Sequence, residues 1–505
     1  MTDVRATTQD HASFTKADLY ERAKDLDIVG RSSMSKSELV EAIESWSGTE
    51  QENGEPTAQF DEFVEYATAR AKGHQMCPPR LLQDHDRRMH VRHTIREDHE
   101  TRIMADDDDA RAKFDKLAGS LFSFFRGTCL LFYRDMAGED AWMPTVLSLG
   151  DVHPANFGVM PSADNVPMFG VNDFDEAAWA PFTWDVKRGA VGFMIAAAEE
   201  GGHGPKRQRK IAKRFVEGYV DGIREFDRDP SEMERQVRYD NAPALIADLI
   251  EHARTDRSAW LTETYHDEYG RGFRVTDELV PVTSRVDEFQ DLVERWVEGC
   301  EIEVPKRAGD MRVKDVAIRR GQGTASLGLS RYYVMIEGER ADASDDILIE
   351  FKRARRSALA GLVPPSGLGD VEYGERIARA QGAQLVRADV FYGSIDFEGV
   401  SYVTRERAPY RDDIDLDDLS KKGWKKYAAI CGRALAHAHA LSDETPAIGY
   451  DIEPLILEAI DPRELFVDDM LRFAAESYER VRRDHETFRA DHALGAFTTI
   501  DRRYR

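Results

Sequence analysis

Three polar residues with the side-chain types of a phosphate-transfer site stand close together in the chain. Asp151 and Asn156 lie five residues apart in LGDVHPANFG (149–158), and Asp173 follows in VNDFDEA (171–177). Phosphoryl transfer needs a carboxylate to accept the proton of the attacking hydroxyl. It also needs an amide oxygen and a second carboxylate to hold Mg²⁺ on the phosphates. We therefore expect Asp151 to act as the base, and Asn156 and Asp173 to bind the metal.

Taken together, the two motifs resemble the catalytic and metal-binding loops of kinases, in the aminoglycoside- and choline-kinase variant. In that variant a Gly-Asp-x-His-x-x-Asn segment precedes an Asp-Phe/Trp-Asp segment, and GDVHPANFG and NDFDEA match both in order. The resemblance implies ATP and Mg²⁺ as cofactors, with Asp175 as an auxiliary metal-binding carboxylate and His153 as a further catalytic candidate. The alternative is a pair of acidic turns that cap helices.

The resemblance also implies a glycine-rich hairpin and a lysine for the nucleotide. GQGTASLG (321–328) offers Gly321, Gly323 and Gly328, and glycines let backbone N–H groups approach phosphate oxygens closely. DILIEFKRA alternates as a strand and ends at Lys352, the position of a phosphate-binding lysine on the third strand. We expect these residues to bind the phosphates of ATP.

Two further segments would complete a nucleotide site. The helix predicted over 371–386 offers Glu375 or Glu372 as the ion-pair partner of Lys352. The strand 400–405 resembles the strand that enters a kinase hinge, so we expect it to line the cleft with free backbone groups for an adenine edge.

Two charged residues near the loops have open interpretations. Asp185 in PFTWDVKRGA (181–190) opens a predicted helix; in kinase-like enzymes such an aspartate accepts backbone N–H groups of the catalytic loop, whereas elsewhere it is an ordinary first-turn acid. Arg126 in SFFRG (123–127) would contact a phosphate or a catalytic carboxylate, or simply pair with a surface acid.

The kinase-like segments occur in a permuted order, because the catalytic loop precedes the glycine-rich turn and the lysine. A circular permutation explains this order, since permutation is tolerated where termini can be joined at the surface. The Lys352 ammonium should then lie within roughly 10 Å of the Asp173 carboxylate, a gap that phosphates and Mg²⁺ can bridge. The helix 424–441 should pack beneath the catalytic loop.

The same motifs resemble domain-of-unknown-function family 2252, an uncharacterised prokaryotic family. SFFRG, GDVHPANFG, NDFDEA, PFTWDVKRGA, GQGTASLGLSRYYVMI, LIEFKRA and CGRALAHAHA carry the resemblance, over roughly residues 115–490. It implies a kinase-like fold with no established substrate.

Residues 12–46 form a separate sequence unit. Thr15 and Ser35 can cap two short helices with apolar residues at helical spacing, joined by an extended turn. The unit resembles SAP-like and Rho-N-terminal-like modules, which implies weak nucleic-acid contact; the alternative is a protein-contact or tethering module. SGTEQENGEPT (47–57) is polar and contains Gly and Pro, which indicates a linker.

The bulk composition excludes several classes of protein. With 94 acidic against 69 basic residues the net charge is −25, which disfavours general binding to nucleic-acid phosphates. The longest apolar run, AVGFMIAAA, is too short to cross a membrane, and the N-terminus lacks a signal-peptide pattern. The four cysteines lack a CxxC pair, which favours reduced thiols. We expect a cytoplasmic protein without membrane contact.

These observations predict an α+β protein with a circularly permuted, kinase-like two-lobed fold behind a small helix–extended loop–helix module. We expect an ATP- and Mg²⁺-dependent phosphotransferase whose acceptor, a small molecule or a protein, stays unknown. A nucleotidyl (AMP) transferase on the same fold, and a nucleotide-binding pseudoenzyme or nucleic-acid tether, are the alternatives. The predicted domains are 12–46, the linker 47–57 and a kinase-like domain 58–495, with 58–300 mainly C-lobe, 310–410 N-lobe and 420–495 returning to the C-lobe.

Overall fold

The structure is a computed structural model that describes residues 15–25, 28, 31, 34–45, 64, 68, 69, 72, 78–105, 108–229, 231–320, 331–364, 371–410 and 412–498. The chain divides into two compact units, Met1–Thr57 and Ala58–Arg505. The predicted linker 47–57 and the predicted phosphate-binding residues Gly321, Gly323 and Gly328 lie outside the described residues.

The first unit contains helices α1 (Lys16–Asp25) and α2 (Lys36–Ser45). Thr15 and Ser35 precede them, and each hydroxyl accepts the backbone N–H three residues later, at 3.3 Å in both cases. The carboxylates of those later residues accept the cap backbone N–H groups in return, which makes both helix starts capping boxes. A small apolar core lies between the helices and consists of Leu19, Ala23, Leu39 and Ile43.

The second unit mixes helices and strands, which confirms the expected α+β class. The helices of its described part are α3 (Asp84–Asp98), α4 (Glu100–Ala105), α5 (Asp108–Gly119), α6 (Leu121–Gly127), α7 (Cys129–Met136), α8 (Phe182–Glu199), α9 (Pro205–Phe226), α10 (Ala244–His252), α11 (Arg257–Thr264), α12 (Val286–Gly299), α13 (Tyr373–Gln384), α14 (Lys421–Ala440), α15 (Ile452–Ile460) and α16 (Arg463–Ala493). The strands are β1 (Thr145–Ser148), β2 (Phe157–Pro161), β3 (Pro167–Val171), β4 (Ala178–Pro181), β5 (Leu279–Pro281), β6 (Val313–Arg319), β7 (Arg331–Ile336), β8 (Ile347–Arg353), β9 (Gly393–Phe397), β10 (Val400–Glu406) and β11 (Asp412–Asp413).

The segment 145–181 forms two small antiparallel ladders that carry the polar motifs between their strands. β1 pairs with β4, and β2 pairs with β3, which places the loops 149–156 and 172–177 at neighbouring strand ends. Both ladders are almost entirely buried, in agreement with their apolar sequences. The segment therefore acts as a scaffold that fixes the two loops relative to each other.

Among the described residues, six strands form an antiparallel sheet in the order β5-β6-β7-β8-β10-β9. Side chains alternate across β8, as its sequence predicts. Ile347, Ile349 and Phe351 pack into an apolar core with residues of α12. Glu350 and Lys352 point to the opposite face, so the strand pattern itself directs Lys352 away from that core.

The expectation of free hinge backbone groups on the strand 400–405 is wrong. β10 lies between β8 and β9, with residues 402–404 paired on both sides. An interior strand of an antiparallel sheet uses its N–H and C=O groups in the two ladders, so none is left for an adenine edge at residues 402–404. The hairpin Phe397–Val400, which adds β9, is the physical reason.

The helices around the small ladders form the largest apolar core of the described chain. α14 packs along α9 so closely that a Cβ at Gly432 would stand 2.1 Å from the Phe215 carbonyl oxygen, and one at Gly218 would stand 2.2 Å from the Ala429 oxygen. Only glycine fits at these two crossings. None of the helices in the described residues is long and apolar enough to cross a membrane.

Candidate active site

The side chain of Asp185, at the start of α8, holds the backbone of the loop 149–156. Asp185 is fully buried and accepts hydrogen bonds from the N–H groups of Leu149 at 2.6 Å and Gly150 at 3.1 Å. The Ser148 hydroxyl donates to the same carboxylate at 2.7 Å. Of the two interpretations of Asp185, the one in which it accepts N–H groups of this loop is therefore confirmed.

Asp151 forms an ion pair with Arg188, which follows Asp185 by one turn of α8. Arg188 donates from Nε and Nη2 to one carboxylate oxygen, at 2.9 and 2.5 Å. Its guanidinium is fully buried and lies 4.3 Å from the centroid of the Phe125 ring. Burial raises the pKa of the Asp151 carboxyl to about 6, against the opposing effect of the Arg188 charge. Asp151 is therefore ionised at neutral pH, with a proton affinity above that of an exposed aspartate.

His153 lies beside Asp151, and Arg126 lies near His153. His153 Nδ1 accepts the Ala155 backbone N–H at 3.2 Å, which leaves the ring proton on Nε2, 3.7 Å from an Asp151 oxygen. Burial and the charges of Arg126 and Arg188 hold the pKa of His153 well below its ordinary value. The Nε atom of Arg126 is buried and has no hydrogen-bond partner within the described part of the chain. The structure thus places His153 at the Asp151 carboxylate and Arg126 near His153.

Asn156 joins the two loops. Its Nδ2 donates to the Asp151 carbonyl at 2.6 Å, which leaves the amide oxygen as its free ligand atom. The backbone N–H of Asn172 donates to the Asn156 carbonyl at 3.2 Å. Asp173 is the next residue, so it lies close to Asn156. The Asp173 side chain is 35% exposed, unlike the surrounding buried acids. An amide oxygen and an accessible carboxylate therefore lie where the two loops meet.

Asn156 and Asp173 offer oxygen atoms of the kind that Mg²⁺ takes as ligands in nucleotide sites. Among the described residues, no three His, Cys, Asp or Glu side chains form a group that could hold a metal ion. Mg²⁺ in nucleotide sites usually keeps several waters and takes one or two carboxylates together with phosphate oxygens. Asn156 and Asp173 suit that mode of binding, whereas a metal cage made of protein side chains alone does not form here.

Lys352 also lies beside Asp173, although it belongs to β8 of the six-stranded sheet. Its ammonium is 2.6 Å from an Asp175 oxygen and 3.9 Å from an Asp173 oxygen, well inside the expected limit. Burial acts to raise the pKa of Asp175, but the charge and hydrogen bond of Lys352 hold it below its ordinary value. Asp175 is thus an ion-pair partner of Lys352, and its oxygen on that side is not open to a metal.

Glu375 does not provide the partner that was predicted for Lys352. It is exposed and pairs with Arg379, one turn along the same helix. Successive residues of a helix point about 100° apart, and the neighbouring Arg376 already faces the loop 172–177. The phase of α13 therefore directs Glu375 to solvent.

Arg376 and the segment after β8 fix the loop 172–177. Arg376 is buried and donates to the carbonyl oxygens of Asp175 at 2.7 Å and Ala177 at 2.8 Å. Glu176 pairs with Arg355 and accepts the Ala358 N–H. Backbone carbonyls and a buried carboxylate of the loop are therefore satisfied by residues that come about 180 to 200 positions later.

Gly150 allows the two loops to approach each other. It has a φ of +76°, a conformation that favours glycine, and a Cβ there would lie 2.3 Å from the Glu176 carbonyl oxygen. Any larger residue would push the loops 149–156 and 172–177 apart.

The helix α14 lies beneath the loop 149–156, as predicted. The Tyr427 hydroxyl donates to the carbonyl oxygen of Pro154 at 2.7 Å, and His439 Nε2 lies 3.1 Å from Asp185. His439 is fully buried, and its Nδ1 lies 2.9 Å from the Tyr219 hydroxyl.

Several positioning residues were missed by the sequence analysis. Arg188 has a local signal, because a residue three positions after Asp185 shares its helix face. Arg376, Arg355 and Tyr427 have none, since each contacts the loops through pairings between distant parts of the chain.

The comparisons with known proteins agree with the resemblance to domain-of-unknown-function family 2252. A family model described as "uncharacterized protein conserved in bacteria (DUF2252)" matches residues 105–491, which include both loops, Lys352 and α14. No curated protein and no solved structure matches the chain. Because the match extends over more than half of the 505 residues, the chain belongs to the DUF2252 family.

Proposed function

We propose that this protein is an ATP- and Mg²⁺-dependent phosphotransferase with a kinase-like site, in the broad sense that it transfers a phosphorus-linked group from a nucleotide to an acceptor hydroxyl. The observation that supports the proposal is that Lys352, from the larger sheet, lies beside the loop that carries Asp173, next to the loop that carries Asp151 and Asn156. Such a set of groups is what phosphoryl-type transfer requires.

The chemistry of Asp151 supports a role as the general base. Its carboxylate is buried beside Arg188, and the raised pKa of about 6 lies closer to neutral pH than that of an exposed aspartate. A base is most effective when its pKa lies near the working pH. Arg188 keeps the carboxylate ionised and oriented before the acceptor proton arrives.

The remaining residues would bind and orient the nucleotide. Asn156 and Asp173 would hold Mg²⁺, which neutralises phosphate charge during the transfer. Lys352 would contact a phosphate oxygen, and its ion pair with Asp175 would weaken in return. The arrangement of α13 between β8 and β9, and of a lysine near the end of β8, also supports the kinase-like, permuted order.

The proposal is tested by ATP cleavage with water as the acceptor. The full chain should cleave ATP slowly in the presence of Mg²⁺, and Asp151→Asn should lower the rate about 100-fold, the usual contribution of a general base. Asp164→Asn, in the exposed turn after β2, is the control and should leave the rate unchanged. A chain that neither binds nor cleaves ATP, or equal rates in Asp151→Asn and wild type, would contradict the proposal.

A further inference from the structure

An acidic cavity of about 330 Å³ lies between the end of α9 and the segment that joins α14 to α15. Eleven described residues line it; six of them are acidic, and none is Lys, Arg or His. The acidic residues are Asp227, Glu232, Asp443, Glu444, Asp451 and Glu453. The cavity shares no lining residue with the candidate active site, so it is a separate feature of the second unit.

Three of the carboxyl groups belong to the interior of the acidic cavity. Glu232 and Glu453 are only 7% and 5% exposed, and Asp443 is half-buried, whereas the other three acids are exposed at the mouth. Asp443 accepts the Ile452 backbone N–H at 2.8 Å and shares a hydrogen bond with the Glu453 carboxyl. The Oε2 atom of Glu232 is buried without a hydrogen-bond partner among the described residues. The interior therefore contains a carboxyl oxygen that lacks a donor.

Basic side chains close to the acidic cavity in the chain do not neutralise these three carboxyl groups. His437 donates from Nε2 to the backbone carbonyl of Glu232 at 2.8 Å, and burial lowers the pKa of its ring, so it is neutral at pH 7. Arg235 pairs with two other acids, Glu225 and Asp229. Within the described chain, the interior carboxyl groups thus have no ion pair with a Lys, Arg or His side chain.

The missing counter-charge affects the ionisation of the interior acids. Burial raises the pKa of Asp443 to about 6 and that of Glu453 to about 8, and the charge of Glu232 acts in the same direction on both. A positive charge among them would favour their ionised forms and replace the repulsion by attraction. The acidic cavity is therefore complementary to a cation.

The walls of the acidic cavity suit an organic cation better than a metal ion. Within the described residues, no three Asp, Glu, His or Cys side chains form a group that could hold a metal, and this includes the acids of the cavity. Phe226, Ile448, Tyr450 and Pro454 complete the lining and offer apolar surface to a carbon chain. Small-molecule sites combine such apolar walls with a few polar groups, at volumes from about 300 Å³ upwards.

We propose that the acidic cavity binds a small organic cation of the alkylamine or diamine class. Its ammonium group meets the carboxyl groups of Glu232 and Asp443, and its carbon chain lies against the apolar wall. Ammonium groups donate three hydrogen bonds, which supplies the donor that the Glu232 oxygen lacks. This site is independent of the proposed phosphotransferase function, and binding alone decides it.

Titration calorimetry of the full chain with 1,4-diaminobutane tests the proposal. At about 0.15 M NaCl the general attraction of the acidic surface is screened beyond roughly 8 Å. The wild type should bind the diamine saturably, whereas 1,4-butanediol, a neutral molecule of the same length, should not bind. Glu232→Gln and Asp443→Asn should each weaken binding about tenfold, because each removes a charge-assisted hydrogen bond. Glu234→Gln removes the same charge from an exposed side chain two residues after Glu232 and should leave the affinity unchanged.

A second variant tests the cavity without changing its charge. Gly449→Phe retains every carboxyl group and adds a ring at the cavity wall, where a Cβ would meet no atom within 4 Å. It should fold, as thermal melting without the diamine would show, and bind the diamine more weakly than the wild type. Absence of saturable binding by the wild type, or wild-type affinity in Glu232→Gln, Asp443→Asn and Gly449→Phe, would overturn the proposal. Displacement of the diamine by an equal concentration of CaCl₂ would assign the cavity to a metal ion and overturn the organic class.

Discussion

Lys352 and Asp175 form a 2.6 Å ion pair although 177 positions separate them in the chain. The pair connects the six-stranded sheet directly to the loop that carries Asp173. In kinases a glutamate from the helix after the lysine strand holds the lysine. Here the loop provides that carboxylate itself, so the lysine and the loop 172–177 are positioned by one contact.

A double-mutant cycle on this pair should show strong coupling. Both side chains are at least 86% buried, and removing one partner leaves a buried charge. We expect Lys352→Met and Asp175→Asn each to lower the free energy of unfolding by about 3 kcal/mol. The double variant should lose at least about 1 kcal/mol less than the sum of the two. Urea denaturation measures all four proteins, and additive losses would contradict the coupling.

Asp173→Asn should separate nucleotide binding from stability. Ligands that bind the folded state raise its apparent stability by mass action. We expect Mg²⁺ with ATP to raise the melting temperature of the wild type, and Asp173→Asn to lose most of that rise, because the carboxylate that binds Mg²⁺ is gone. EDTA should abolish the rise in both. Asp164→Asn is the control; a shift equal to wild type in Asp173→Asn would place Asp173 outside the site.

The sequence predicted those parts of the site that depend on short-range patterns. Asp151, Asn156 and Asp173 lie within a few residues of one β-hairpin, so their proximity follows from local chain geometry. The same holds for the caps at Thr15 and Ser35, which each use a residue three positions later.

Contacts that depend on how strands pair and how a helix is rotated were harder to predict. The interior position of β10 depends on the hairpin that adds β9, and that hairpin removes the free backbone groups expected for adenine. Similarly, Glu375 was predicted to pair with Lys352, and the phase of α13 instead directs Glu375 to Arg379 and Arg376 to the loop 172–177. A small rotation of a helix such as α13 changes which of its residues contacts the loop 172–177.

Arg376→Met should loosen the loop 172–177 more than the rest of the protein. Arg376 donates to three carbonyl oxygens, those of Asp175, Ala177 and Arg355. Without these bonds the loop should open more often, so amide hydrogen exchange should accelerate at residues 173–177 and Mg²⁺–ATP binding should weaken about tenfold. Arg379→Met, on the exposed face of the same helix, is the control. Exchange that increases equally throughout α13 would indicate general destabilisation instead.

A chain that starts at Ala58 should fold and keep its nucleotide response. Met1–Thr57 and Ala58–Arg505 are separate compact units, and the loops, Lys352 and α14 all belong to the second. We expect the shortened chain to melt cooperatively and to show the same temperature rise with Mg²⁺ and ATP as the full chain. A shortened chain that is insoluble, or folds but loses this response, would show that the first unit is required for the site.

A cluster of carboxyl groups that follows α14 should make stability fall as the pH rises from about 5 to about 8. Burial, followed by the nearby charge of Asp443, raises the pKa of Glu453 to about 8, above its ordinary 4.5. Because the folded state favours the neutral acid, this contribution to stability is complete below pH 4.5 and is lost as the pH rises through 8. Glu453→Gln stays neutral, so between pH 6 and about 9 its urea midpoint should fall less than that of the wild type. Glu458, like Glu453, is on α15, but its side chain is exposed, so Glu458→Gln should follow the wild type. Parallel falls in Glu453→Gln and wild type would show that Glu453 is ionised throughout this range.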